Sequence, residues 1–249
     1  MSACFATITT ASHLPRVRAL AHRLSRWDVK LHAVLVDDAP DAHAGAAVLH
    51  RLDDLDHPRV RPLRRALRGD RLRWSLKPVV LDALLGDHDR VVYIDTDVFA
   101  FADPRLLFER LGEHGIVLTP HDYPTDPVRQ PLWLEATLKN GLFNAGVVGA
   151  SRAGRDALAW WADACAYRCE KSLLRGLFDD QKYLDVLAVR FPNVHIERHP
   201  GINAAEWNAS TRGERTVQDG RLVYSDGSPL VLYHFNGFSV RAILDEPDH

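Results

Sequence analysis

Short apolar runs that break off at Thr, Ser or Asp alternate with segments of helical period along this chain. That alternation restricts it to an α/β architecture built on a mostly parallel sheet. Cys4 to Ile8 is apolar and closes on Thr9 and Thr10. Leu14, Val17, Leu20, Leu24 and Trp27 follow at helical spacing, with Ser12 placed to cap them and Pro15 in the first turn. Leu31 to Val36 reads as a second strand that stops at Asp37-Asp38-Ala39-Pro40. Arg90 to Ile94 reads as a buried strand that runs straight into Asp95-Thr96-Asp97. Between these two strands, an arginine-rich stretch over 51–73 reads as a solvated connection with some helix in it. Ser75 is then expected to cap a helix over Leu76 to Leu85, with Pro78 in its first turn.

The pattern continues into the second half. Asp103 and Pro104 open a helix that ends by Gly112, and Gly115 to Thr119 is another strand. The prolines and aspartates of 120–131 predict an ordered loop or a flap. Leu142 to Ala150 resumes strand character. Ser151 begins a helix through Trp160, Trp161 and Cys165, whose tryptophans suit a core, and Asp180 to Val189 gives a further helix. Arg221 to Tyr224 and Leu230 to Tyr233 flank a Ser-Asp-Gly-Ser turn, which predicts a hairpin delivering His234.

Composition narrows the class. The 249 residues are 46% apolar and 26% charged, enough for a sizeable core, expected as one domain over 1–249. A net charge of −2 offers no overall basic field, so nucleic acid is not an expected partner. Cys4, Cys165 and Cys169 are too few for a disulfide scaffold and lack zinc-motif spacing, which points to a reducing compartment. With no leader-like start and no run of about 18 apolar residues, the expectation is a cytoplasmic protein without a membrane span.

The sharpest chemical signal is Asp95-Thr96-Asp97. Two carboxylates that leave a buried strand together repel each other unless a cation compensates, and Mg²⁺ or Mn²⁺ held partly by substrate phosphates would do so. The alternative is that both aspartates cap turns. Haloacid-dehalogenase-type phosphatases also carry two aspartates after a strand, but they require Thr two residues later, where this chain has Phe99.

Phe5-Ala6-Thr7-Ile8-Thr9-Thr10, Asp95-Thr96-Asp97, Phe143-Asn144-Ala145-Gly146-Val147, Asp180-Gln181 and His234-Phe235-Asn236-Gly237 occur in the order found in GT-A nucleotide-sugar glycosyltransferases. The chain most resembles glycosyltransferase family 8, the glycogenin-like enzymes. It also looks like the compact glycosyltransferases of bacterial polysaccharide clusters, through 176–181 and 203–208. The resemblance implies a GT-A fold, a mostly parallel sheet flanked by helices, with a nucleotide-binding half over 1–100 and an acceptor and metal-completing half over 101–249.

It further implies a role for each matching position. Asp95, Asp97 and His234 would hold Mn²⁺ or Mg²⁺ against the donor diphosphate. Thr9, Thr10 and Thr96 would meet the nucleoside, Lys77 the phosphates or sugar, Asn144 the sugar hydroxyls, and Gly237 the donor. Asp180 and Gln181 would approach the reacting carbon. Asn203, Trp207 and Asn208, with Glu206, suit an acceptor site. Each has an alternative structural role: capping for the threonines, surface charge for Lys77, a satisfied core amide for Asn144, a packed imidazole for His234, a loop anchor for Trp207. The family's usual lysine after the histidine motif is missing, and Arg241 is its candidate replacement.

The implied activity is transfer of a hexose, from UDP most readily, to a saccharide, lipid-linked or protein glycan acceptor. The resemblance to retaining family members implies retention, in which the departing phosphate itself deprotonates the acceptor and no dedicated base is required. An inverting enzyme would need a base such as Asp179, Asp122 or Glu206. The rival readings are a sugar-phosphate nucleotidyltransferase, which normally shows a glycine-rich basic loop where this chain has Thr9-Thr10-Ala11-Ser12, and a catalytically silent sugar-binding module. The arginines of 51–73 are compatible with peripheral contact at an anionic membrane face.

Overall fold

The computed structural model describes residues 2–236. The first half contains β1 (Ala3–Thr9), α1 (Leu14–Leu24), β2 (Leu31–Leu35), β3 (Val48–Arg51), α2 (Val60–Ala66), α3 (Gly69–Leu84), β4 (Arg90–Ile94) and β5 (Val98–Ala100). It continues with α4 (Leu106–Glu113), β6 (Ile116–Pro120), α5 (Pro131–Asn140), β7 (Phe143–Ser151), α6 (Arg155–Tyr167), β8 (Lys171–Ser172) and β9 (Leu177–Phe178). The remainder is α7 (Tyr183–Arg190), β10 (Val194–Ile196), α8 (Ala209–Arg212), β11 (Arg215–Gln218), β12 (Arg221–Tyr224) and β13 (Leu232–His234).

Seven strands form the main sheet in the order β10-β6-β7-β4-β1-β2-β3. All pairings are parallel except those of β7, which runs against both β4 and β6. Alternation divides β1 between two cores. Cys4, Ala6 and Ile8 face a layer that contains Leu76, Val79 and Val80 of α3, Trp161 of α6 and Leu184 of α7. Phe5 faces the opposite layer, with Val17 and Leu20 of α1 and Leu107 and Phe108 of α4. This is the expected α/β sheet with helices on both faces, and among the described residues no helix is long and apolar enough to cross a membrane.

Four local expectations need correction. The helix assigned to Leu76–Leu85 starts at Gly69, so Ser75 is a buried interior residue and Pro78 lies inside the helix. An interior proline costs about 3 kcal/mol, and the burial of Leu76, Val79, Val80 and Leu81 against the sheet offsets it. The helix expected from Asp180 begins at Tyr183, which leaves Asp180 and Gln181 in the preceding turn. Helix α5 was not anticipated, because only Thr137 of it is buried and no apolar stripe marks it.

The fourth correction concerns His234. Strand β12 pairs with β11, not with the run that carries the histidine. The Ser-Asp-Gly-Ser turn does form, with the amide of Tyr224 donating to Ser228 O and that of Leu230 to Leu222 O. The chain then leaves, and β13 pairs antiparallel with β5, His234 opposite Val98. Val231 and Leu232 are buried in the core under β5, a larger apolar gain than pairing with the mostly exposed β11 offers.

Candidate active site

The β5–β13 register explains how residues 137 positions apart in sequence meet. Asp97 immediately precedes β5, and the amide of Phe235 donates to Asp97 O at 2.8 Å. His234 Nε2 then lies 3.2 Å from Asp97 Oδ1. One ligand-type atom from each of Asp95, Asp97 and His234 falls within 4.8 Å of the other two. Two carboxylates and an imidazole at that spacing fit a single divalent cation.

The orientation of His234 follows from hydrogen-bond bookkeeping that starts at a backbone amide. Gly146 N–H donates to Asn144 Oδ1 at 2.9 Å, which fixes that oxygen as the acceptor end. Asn203 Nδ2 donates to the same oxygen at 3.1 Å and to Thr119 Oγ1 at 2.9 Å. Asn203 Oδ1 is therefore the end that faces His234 Nδ1, 3.1 Å away, so Nδ1 carries the proton and donates. That leaves Nε2 as the nitrogen directed at the aspartates, able to donate to Asp97 when protonated or to give its lone pair to a metal, the arrangement a metal-ligating histidine needs. Gly146 is also required for space: a Cβ there would fall 2.8 Å from His234 Nδ1 and overlap Cε1.

A cavity of about 330 Å³ opens beside these groups, lined by Lys77, Asp95, Asn144, Asp180, Gln181 and His234 among others. Lys77, only 5% exposed, donates to Ala145 O at 3.1 Å and places Nζ 3.3 Å from Asp95 Oδ1 and 3.6 Å from Asp180 Oδ2. Burial alone would push its amine down, but Asp180, Asp95 and Asp179 outweigh that and hold the ammonium above its ordinary range. Tyr93 hydroxyl donates to Asp95 Oδ1 at 2.7 Å. Burial pushes the Asp97 carboxyl up, and the hydrogen bond and charge of His234, with Arg16, bring it below its usual value. Burial drives Asp180 up, with Lys77 pulling the other way. Its Oδ2 has no hydrogen-bond partner, while Trp161 Nε1 fixes its backbone by donating to Asp180 O at 2.9 Å.

Asn144 and Gln181 form one unit. Asn144 Nδ2 donates to Gln181 Oε1 at 3.3 Å, the amide of Ala145 donates to the same oxygen at 3.1 Å, and Gln181 Nε2 donates to Asn140 O at 2.9 Å. His121 donates from Nδ1 to Gly141 O and accepts at Nε2 from Asn144; burial lowers it to about 4, so it is neutral.

The other sequence candidates fall in different places. Thr9 is buried with its hydroxyl on Thr10 O, and Thr10 Oγ1 contacts Ser12 and His13; neither lines the cavity. Thr96 lines a neighbouring cavity with Arg16, Phe99 and Phe101. Asn203 and Asn208 are buried with their amides committed within the protein, Asn208 to Ala205 N, His121 O and Asn203 O. Trp207 stands apart: it packs edge-on against His234 at 5.1 Å and lines both this cavity and one of about 490 Å³ that also includes Trp133 and Glu206. Gly237 and Arg241 lie outside the described residues. Sequence reading assigned no role to Tyr93, Gly146 or His121. Gly146 was visible within a quoted motif, whereas His121 is an isolated histidine in a Pro/Asp loop and carried no signal.

No family model matches the chain. It is 37% identical over 179 residues to uncharacterized protein YfnF of Bacillus subtilis (strain 168), a match covering 68% of this chain and 57% of that protein. It is 29% identical over 253 residues to uncharacterized protein YfnD of the same organism, covering 95% of this chain and 78% of that one. Among solved structures, mouse xyloside xylosyltransferase 1 superposes with a TM-score of 0.57 and 17% identity, over 95% of this chain and 98% of that one. The galactosyltransferase LgtC, solved with donor and acceptor sugar analogues, superposes with a TM-score of 0.52 and 14% identity, over 94% and 87%. This chain has the fold of the GT-A glycosyltransferases.

Proposed function

We propose that the chain is a metal-dependent glycosyltransferase that moves a hexose from a nucleotide diphosphate sugar, most readily a UDP-sugar, to a saccharide or glycoconjugate acceptor with retention. The observation that carries this reading is the convergence of Asp95, Asp97 and a tautomer-fixed His234 beside a cavity containing Asn144, Asp180 and Gln181. A bound Mn²⁺ or Mg²⁺ would offset charge on the diphosphate leaving group.

The chain's own residues supply the rest. Lys77 sits between Asp95 and Asp180 at the cavity wall, its Nζ 3.3 Å from a carboxyl oxygen of the first and 3.6 Å from one of the second. Asp180 Oδ2, buried and without a hydrogen-bond partner, is an acceptor waiting for a sugar hydroxyl. Asn144 and Gln181 brace each other against the sheet, so a sugar placed on them meets groups already oriented. Thr96, which lines the neighbouring cavity with Arg16 and Phe101, is assigned to the nucleoside end. Trp207, with Trp133 across the second cavity, offers apolar ring faces for an acceptor sugar.

Two of the three alternative bases, the exposed Glu206 apart, are already engaged, which favours retention. Asp122 is bound by Arg212 at 2.8 Å, and Asp179 accepts the Gln181 amide at 3.0 Å and lies 3.7 Å from Lys171. Screening nucleotide sugars by thermal shift with and without Mn²⁺, then assaying donor turnover, tests the proposal. Asp97→Ala should abolish Mn²⁺-dependent turnover with the fold intact, and full activity in that variant refutes the metal assignment. Binding without turnover on a broad acceptor panel would favour a silent sugar-binding module.

A further inference from the structure

A second set of ligand-type side chains stands at the opposite end of the sheet. Cys4 on β1, His32 on β2 and His88 in the turn before β4 each offer one ligand atom, all within 4.8 Å of one another. The register accounts for the meeting. Ala6 pairs with His32, so Cys4 and His32 project from the same face of neighbouring parallel strands. Cys4 also pairs with Val91, which brings the segment that carries His88 to the same end. Strands β1 and β4 start here and finish at Thr9 and Ile94, so the length of the sheet separates this group from Asp95 and Asp97.

Two observations set the cluster apart from ordinary packing. His32 Nε2 and His88 Nδ1 are both buried without a hydrogen-bond partner, an arrangement that destabilises a fold unless a ligand satisfies it. The second nitrogen of His32 is already engaged: Nδ1 lies 2.9 Å from Nε2 of His50, with the two rings stacked at 15°. An outer partner on one nitrogen and nothing on the other is the arrangement of a histidine that ligates a metal. One thiol and two imidazoles select zinc or a similar borderline cation over Mg²⁺.

We propose that Cys4, His32 and His88 form a zinc-type metal site, separate from the Asp95 site, that ties β1, β2 and the β4 entry together. Binding would replace the thiol proton, which leaves to solvent, and the fourth position would be taken by water beside half-buried His88. Bond lengths to zinc set ligand atoms roughly 3.3–3.7 Å apart, so closure asks the three ligand atoms to draw together by up to about 1 Å.

The test is titration of the purified 249-residue chain with Co²⁺, read by thiolate-to-metal charge-transfer absorption, together with the melting temperature in Zn²⁺. We expect the band to saturate at one equivalent, zinc to displace it and raise the melting temperature, and both effects to persist in Asp97→Ala and Cys165→Ser. The charge-transfer band should be lost in Cys4→Ser. Should Cys4→Ser fail to fold, His88→Gln decides, with an expected weakening of Co²⁺ binding by more than about tenfold. The proposal is overturned by a wild-type chain without the band, by a band that survives Cys4→Ser, or by unchanged affinity in His88→Gln.

Discussion

Asn203 Oδ1 accepts from His234 Nδ1 at 3.1 Å, and the Asn203 backbone sits in the left-handed region, φ 55°, to make that contact. Asparagine tolerates this conformation better than most residues because its short amide bonds locally. Asn203→Gly removes the amide while keeping the backbone geometry open. The expected result is a fall in Mn²⁺ affinity of about 10–100-fold, the usual effect of losing a group that orients a ligand, measured by isothermal titration.

Gly146→Ala places a methyl group into the His234 ring. Overpacking of this kind costs about 1–3 kcal/mol, and a shift of the ring to relieve it would disturb its approach to Asp97. Thermal denaturation should show the destabilisation, and Mn²⁺-dependent shifts with nucleotide sugars should disappear.

Lys77 and Asp180 are both buried, so removing one strands the other. Lys77→Met should destabilise the chain by about 3–5 kcal/mol. Adding Asp180→Asn should restore much of that stability by deleting the orphaned charge, without restoring turnover. Urea denaturation of the two single variants and the double variant measures the coupling directly.

Acid should weaken the fold through His121. Its folded-state value is lowered to about 4 by burial, against about 6.5 in an unfolded chain. Between those limits the unfolded state binds the extra proton, so the stabilisation is complete above about pH 6.5 and is lost as pH falls towards 4. From pH 7 to pH 5 the loss from this residue is about 2 kcal/mol. A His121→Gln variant should show a correspondingly flatter dependence of urea midpoint on pH over that window.

Much of this was readable in advance for identifiable reasons. Strands β1, β2, β4 and β7 are buried on both faces, so their apolar runs are continuous and end at polar residues, and Asp95 and Asp97 could be located at a strand end. Helix α5 was illegible because its residues are mostly exposed, and no periodicity survives without a buried face. The path of β13 was illegible because a turn sequence specifies that the chain reverses, not which strand receives it. Asn203 and Asn208 were recognisable as polar residues in a loop, but their burial depends on partners from Thr119 to His234 that only the fold assembles.

The pairing of β13 with β5 also sets an order of assembly. Every strand of the main sheet has been synthesised by Ile196, whereas the imidazole that completes the acidic pair arrives nearly forty residues later, on the last described strand. A nascent chain lacking that strand can lay down the sheet while remaining unable to close its ligand set. Maturation of the centre is thereby deferred to a late docking event, one that circular permutation at the β11–β12 ribbon would bring forward in time.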